Sequence, residues 1–166
     1  MAERHPSAAE QTLYRHVFGT SLPVASRIYI SDSLGLHNRP WTSPRYFRRP
    51  TSWTINIGPV GYIDCTSTKL GIWGSRIDAT FIHELVHVWQ GSLHFLFDQY
   101  LLEGAVLQAR AELSSYDPYI YTAGGAWSEF NIEQKAQLVE DWYTSGMSST
   151  DPRYTYITGN IRCCVD

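Results

Sequence analysis

The chain has 166 residues, a length that suits a single domain spanning residues 1–166 with a sizeable buried core. Hydrophobic residues make up 43% of the sequence and include six tryptophans and eleven tyrosines, a composition that excludes disorder for most of the chain. The formal net charge of −3 argues against nucleic acid as the main partner.

The sequence contains neither a run of roughly eighteen apolar residues nor a signal-peptide core near its N-terminus. We therefore expect a soluble protein without a membrane-spanning segment, synthesised in the cytoplasm unless a system that needs no signal peptide exports it. The cysteines are Cys65, Cys163 and Cys164. This odd, low count favours free thiols and a reducing compartment of origin, and it leaves a disulfide of Cys65 open.

The first part of the chain predicts a helix, a strand and a loop. Residues 7–18 favour a helix, with Ser7 as its cap and Gly19 as its terminator. Residues 27–31 are typical of a strand. Residues 35–52 contain three prolines and several arginines, which indicates a solvated loop or a basic rim near a cleft.

Two further strands are predicted before the middle of the chain. Residues 53–57 and 62–64 alternate in polarity as strands do, around a predicted turn at residues 58–61. One of these two strands is a candidate edge strand, to which an extended substrate could add.

The most informative motif is His-Glu-Leu-Val-His at residues 83–87, which chance would produce in a chain of this length well under roughly 1% of the time. On a helix, side chains four residues apart lie about 40° apart around the axis. His83 and His87 can therefore bind one metal ion. Glu84 then lies beside the metal, where a carboxylate can act as a general base on metal-bound water.

The residues around the motif favour a buried helix over residues 80–93. Apolar residues cover most of its circumference, and the polar residues fall in one narrow strip. That strip contains Thr80, His83, Glu84, His87 and Gln90. Because buried polar groups are costly unless they are paired or bound to metal, we expect the strip to line a cleft.

Residues 95–113 are largely helical in character, and residues 119–121 (Tyr-Ile-Tyr) predict a short strand. Tyr119 and Tyr121 are candidates to donate a hydrogen bond to an oxyanion in a transition state. The alternative is that both rings pack in the core, as strand tyrosines commonly do.

A second strong helix signal follows near residue 131. Asn131 can cap a helix and Gln134 can complete the capping box, while Gly146 marks its end. Glu133 would lie in the first turn, where the helix dipole favours an ionised carboxylate.

A catalytic zinc ion usually keeps three protein ligands, and spacing alone leaves the third one open. His94 comes one residue later than the metzincin pattern requires. Glu103, Glu112 and Glu133 all lie in segments that can be helical, and spacing does not rank Glu133 above Glu112. Cys65 lies upstream, as the cysteine ligand of peptide deformylases does, but without their surrounding sequence.

Three stretches together resemble one group of bacterial zincins: the sequence HELVHVWQ from residue 83, the pair Tyr119 and Tyr121, and the Asn-x-Glu-Gln-x-Ala sequence from residue 131. These are the gluzincin-type zinc metallopeptidase domains at the C-termini of type VI secretion spike proteins, and related toxin-like proteins. The resemblance covers roughly the C-terminal half of the chain. It implies an α+β, zincin-like fold in which a small β-sheet packs on the active-site helix. It also implies that a second helix supplies Glu133 as the third ligand of Zn²⁺.

The function predicted from these observations is zinc-dependent hydrolysis of a peptide bond, with Glu84 as general base and a protein or peptide as substrate. The resemblance adds the role of a bacterial toxin or effector, whose immunity or regulatory partner the sequence does not identify. Two alternatives remain open: a catalytically silent binding module stabilised by zinc, and a hydrolase of a bond other than an amide.

Overall fold

A computed structural model describes residues 1–45, 51–93 and 117–163 of the chain. The described residues confirm the α+β class, with a small mixed sheet and several helices. The strands are β1 (Glu3–Arg4), β2 (Ile28–Ser31), β3 (Trp41–Pro44) and β4 (Trp53–Asn56). Their order across the sheet is β1-β2-β4-β3, with β2 and β4 parallel and the other two pairs antiparallel.

The helices precede and follow this sheet along the chain. They are α1 (Ala8–Phe18), α2 (Gly58–Ile63), α3 (Ile77–Leu93), α4 (Ile132–Thr144) and the single turn α5 (Tyr154–Tyr156), which continues into a wider π-helical turn (Ile157–Ile161). Short 3₁₀ turns lie at Ala25–Arg27, Leu36–Asn38 and Trp127–Glu129. Among the described residues, none of the helices combines the length and apolar character that crossing a bilayer requires.

Helix α1 forms as its sequence predicts. The Ser7 side chain accepts a hydrogen bond from the Glu10 amide, and the Glu10 carboxylate accepts one from the Ser7 amide, which completes a capping box. The chain leaves the helix at Gly19, whose φ of 62° is unfavourable for a residue with a Cβ atom.

Helix α3 runs through the centre of the described structure. Every residue from Ile77 to Gly91 is buried, which agrees with the apolar circumference expected for this helix. It packs against α4 along most of its length and also contacts β3 and β4. The sheet and α4 thereby enclose α3, and the polar strip on α3 lies within this enclosure.

Residues 58–64 differ from the prediction of a turn and a strand, because residues 58–63 form helix α2. Pro59 lies in the first turn of α2, where its missing N–H would have had no helical partner. Gly58 begins the helix with a φ of 75° and lies against the Leu34 side chain. The same Gly-Pro pair that suggests a turn therefore begins a helix here.

The edge strand beside helix α3 also differs from the prediction. The predicted candidate at residues 53–57 is β4, which lies inside the sheet between β2 and β3. The edge strand on the side of α3 is β3, which lies within the segment predicted as a loop. It forms because residues 41–44 pair antiparallel with β4. Residues 119–121 are not a strand: the Asp117 side chain accepts a hydrogen bond from the Tyr119 amide and forms a turn with Pro118.

Candidate metal centre

The polar strip of α3 is buried as expected. His83, Glu84 and His87 are each less than a tenth exposed, and so are Thr80 and Gln90. The two imidazole rings lie 5.0 Å apart, centroid to centroid, one helical turn from each other. Helical periodicity alone therefore places both histidines on one face of a buried helix.

Glu133 closes the site from the opposite side. It is the second residue of α4, whose start is fixed by a capping box between Asn131 and Gln134. Its Oε2 atom lies 3.2 Å from Nε2 of His83 and 3.4 Å from Nε2 of His87. Candidate ligand atoms of all three side chains lie within 4.8 Å of one another.

This arrangement fits a zinc ion. Two imidazole nitrogens and one carboxylate oxygen are a common ligand set for catalytic zinc. Ligand atoms about 2.0–2.1 Å from a tetrahedral zinc are about 3.3 Å from one another, and the distances from the Glu133 oxygen to the two imidazole nitrogens bracket that value. Among the described residues, His83, His87 and Glu133 are the group that meets these criteria.

Each histidine is oriented by a second partner at its other ring nitrogen. Nδ1 of His83 lies 3.0 Å from Oε2 of Glu140, and Nδ1 of His87 lies 3.0 Å from Oε1 of Gln90. The Gln90 amide nitrogen in turn donates to the backbone carbonyl of Ile132. The side-chain oxygen of Gln90 is therefore the atom that faces His87. With both Nδ1 atoms held by these partners, both Nε2 atoms face Glu133.

The electrostatics of the site favour added positive charge. Burial lowers the pKa of His83, but its contacts with Glu133 and Glu140 outweigh burial and raise the pKa to about 10. The pKa of His87 is also raised, because the Glu133 carboxylate outweighs burial. Conversely, the two histidines hold the pKa of Glu133 well below its usual range despite burial. A divalent cation would supply the charge that these buried carboxylates require.

Glu84 lies next to the ligands and is held by the edge strand. Burial raises its pKa, while the neighbouring histidines and a hydrogen bond from Thr42 act against that shift. The Thr42 hydroxyl lies 2.7 Å from Oε2 of Glu84 and 3.1 Å from its backbone carbonyl. The carboxylate is therefore anchored to β3 at one oxygen.

The structure separates the two candidate tyrosines. The Tyr119 ring lies 6.0 Å from the His83 ring, and its phenol interacts with Arg39. Burial and the nearby Glu133 carboxylate raise the pKa of Tyr119 to about 12. The Tyr121 hydroxyl instead donates to Asp141 at 2.8 Å. A cavity of about 460 Å³ lies between these two tyrosines and the side chains of Gln137, Asp141 and Arg153.

Of the remaining ligand candidates, Cys65 is not part of the cluster of His83, His87 and Glu133, and the others lie outside the described residues. Cys65 is buried, its thiol donates to the Gly61 carbonyl, and its amide donates to Glu10. Its pKa is raised well above the usual value by burial, so it is a thiol of the core. His94, Glu103 and Glu112 lie outside the described residues, as does Cys164.

Sequence reasoning missed two residues that shape the site, Glu140 and Thr42. Glu140 had a usable signal, because it follows Glu133 by seven residues and therefore lies on the same face of α4, two turns later. Thr42 carried no local signal: it reaches the site only because β3 lies beside α3. Arg39 is one of the arginines that suggested a basic rim near a cleft, and its side chain interacts with the Tyr119 phenol.

Comparisons with known proteins give one relative and one solved structure. No protein-family model matches the chain. The chain is 31% identical over 169 residues to the type VI secretion system spike protein VgrG2b of Pseudomonas aeruginosa, and it spans only 15% of the length of that protein. The alignment covers 96% of the present chain.

The solved structure is the effector domain of the same Pseudomonas aeruginosa protein. It superposes on the present structure with a TM-score of 0.61 at 24% sequence identity, over 98% of this chain and 85% of that one. The chain is thus similar in sequence to one segment of a type VI secretion spike protein and has the fold of its effector domain.

Proposed function

We propose that this chain is a zincin-like metallopeptidase that acts as a bacterial effector. The observation that carries the proposal is the meeting of His83, His87 and Glu133 from two packed helices, with Glu84 beside them on the same buried helix. The similarity to an effector domain supports the biological role but says nothing about the reaction.

In this proposal His83, His87 and Glu133 hold Zn²⁺, and the edge of the cluster beside Glu84 faces the substrate. A zinc ion bound there would lower the pKa of its water towards about 7 and polarise a carbonyl oxygen. The protein's own contribution is the orientation of the ligands by Glu140 and Gln90, which fixes the imidazole tautomers before any substrate arrives.

Glu84 is the general base. Thr42 binds one of its oxygens, so the second oxygen is left to accept a proton from the attacking water and to pass it to the leaving amine. Tyr119 is the tyrosine that we assign to oxyanion stabilisation, because its ring contacts His83 and its raised pKa keeps the phenol protonated near neutral pH.

The proposed substrate is a protein or peptide of a competing cell. The similarity to a spike protein and its effector domain supports delivery by type VI secretion, which needs no signal peptide. A producing cell would then require an immunity protein that blocks the site. The cavity of about 460 Å³ that Tyr119 helps to line is large enough for a substrate side chain.

The variant Glu84→Gln tests the reaction. Glutamine keeps the size of the side chain and an oxygen for the Thr42 hydrogen bond, but it cannot hold the transferred proton. We expect hydrolysis to fall roughly 100- to 10,000-fold while one zinc ion stays bound. The assay exposes the zinc-loaded chain to a peptide library from a digested bacterial proteome and identifies new N-termini by mass spectrometry.

Glu129→Gln is the matched control, because Glu129 is exposed and lies outside the site. It should retain full activity. Full activity of Glu84→Gln would rule out the mechanism. Zinc binding by the unaltered chain without hydrolysis of any peptide would instead favour the catalytically silent binding module.

A further inference from the structure

We propose that Thr42 is the positioning residue of the general base, holding the Glu84 carboxylate beside the zinc ligands. This inference rests on the function proposed above and deepens it. Its basis is one partly buried contact between two elements that are remote in sequence: the Thr42 hydroxyl on the edge strand β3 and Oε2 of Glu84 on α3, 2.7 Å apart.

The sheet determines where the Thr42 hydroxyl lies. Thr42 is paired with Ile55 of β4, so its side chain projects from a strand held in register on one side. Successive side chains of a strand point to opposite faces, and Trp41 before it is partly exposed while Thr42 reaches α3. The same hydroxyl lies 3.1 Å from the Glu84 backbone carbonyl, so it contacts both the side chain and the helix that carries it.

Glu84 needs such a partner because its side chain can adopt more than one conformation beside the proposed metal. It lies one residue after His83 on the same buried helix, and a glutamate side chain has several rotamers, of which only some keep the carboxylate in one fixed place beside the ligands. A general base must instead stay beside the metal, within hydrogen-bond reach of the water. A donor on the strand side holds one carboxylate oxygen away from the ligands and leaves the other free for the proton.

A comparison of the variants Thr42→Val and Thr42→Ser tests this role. Valine keeps the β-branched shape and removes the hydroxyl, whereas serine keeps the hydroxyl. We expect Thr42→Val to lower kcat roughly 10- to 100-fold with KM changed less than about threefold, because a misplaced base affects the chemical step. Thr42→Ser should restore kcat to within about threefold of the unaltered chain.

Three measurements separate positioning from a general structural defect. The zinc Kd and the thermal midpoint of Thr42→Val should match those of the unaltered chain. A crystal structure of zinc-loaded Thr42→Val should show the Glu84 carboxylate moved from its place beside β3, and that of Thr42→Ser should show it unmoved. Thr54→Val is the control, since Thr54 lies on the neighbouring strand and its hydroxyl contacts Arg45 rather than Glu84.

The outcomes distinguish this inference from the function on which it rests. An active unaltered chain whose Thr42→Val variant keeps the same kcat, or keeps Glu84 in place, would overturn the role of Thr42 alone. Absence of hydrolysis by the zinc-loaded unaltered chain would overturn the proposed function and this assignment with it.

Discussion

His83 and His87 each use both ring nitrogens, and this sets how the site works at the scale of single residues. One nitrogen of each ring faces Glu133, while the other is held by Glu140 or Gln90. The second partners hold the two imidazole rings in the orientation in which each Nε2 atom faces Glu133. In the proposed zinc site, residues that never touch the metal would therefore contribute to its affinity.

Glu140→Ala tests that contribution. Loss of the carboxylate leaves Nδ1 of His83 without its partner, so we expect zinc affinity to fall roughly 10- to 100-fold. Competition with a chromogenic chelator measures the change, and Glu129→Ala on the surface serves as the reference. An unchanged zinc Kd in Glu140→Ala would mean that the contact with His83 does not support the ligand.

At the scale of elements, helices α1, α3 and α4 could be predicted, whereas helix α2 and part of the sheet could not. Helices α1, α3 and α4 are encoded locally, in caps such as Ser7 and Asn131 and in apolar periodicity. The same local signals made His83, Glu84 and His87 recognisable. Strand β3 depends on pairing with β4, a contact that no single segment reveals, and Thr42 was missed with it.

The choice of Glu133 shows the limit of local reasoning at the site. Motif spacing could not rank Glu133 above Glu112, and only the resemblance to a group of bacterial zincins favoured Glu133. The structure brings Glu133 to both histidines because α4 packs along α3, a tertiary contact. Glu112 lies outside the described residues.

The cap of α4 should therefore matter for both stability and metal binding. Asn131→Ala removes the acceptor of the Gln134 amide, and we expect it to lower the free energy of unfolding by about 1 kcal/mol. Since Glu133 is the second residue of the helix, fraying there should also weaken zinc binding. Urea denaturation of the metal-free chain measures the first effect. Asn131→Ser, which keeps a capping oxygen, should lower the free energy of unfolding much less. An equal decrease in both variants would argue against the capping explanation.

At the scale of the whole molecule, a buried ion pair joins the N-terminus to the segment before α3. Arg4 donates two hydrogen bonds to Glu10, and Glu10 also accepts from the Cys65 amide, although Cys65 is 55 residues away. Burial alone would raise the pKa of Glu10, but Arg4 and the backbone amides of Cys65 and Ser7 lower it to about 2. Glu10 thus connects β1, α1 and the connection between α2 and α3.

This depressed pKa predicts how stability depends on pH. A carboxyl group with a folded pKa of about 2 and an ordinary value of 4.5 stabilises the fold above pH 4.5, and that contribution is lost as the pH falls towards 2. We expect Glu10→Gln to cost roughly 3 kcal/mol at neutral pH and to flatten the pH dependence in that window. Urea unfolding of the metal-free chain at several pH values measures both effects.

Glu3→Gln is the comparison, since Glu3 forms a more exposed pair with Arg45 and should change stability by less than about 1 kcal/mol. Glu10→Gln could instead retain the full stability and acid sensitivity of the unaltered chain. The contacts of Glu10 with Arg4 and the Cys65 amide would then not stabilise the fold as proposed.

In the proposed site, α3 and α4 together bind one zinc ion. The most direct measurement of this is an anomalous-difference map of zinc-loaded crystals at the zinc absorption edge. We predict one strong peak bound by His83, His87 and Glu133, with Glu84 beside it and not bound to it. Zinc coordinated by Glu112 in place of Glu133, or no peak between the two histidines, would contradict the account.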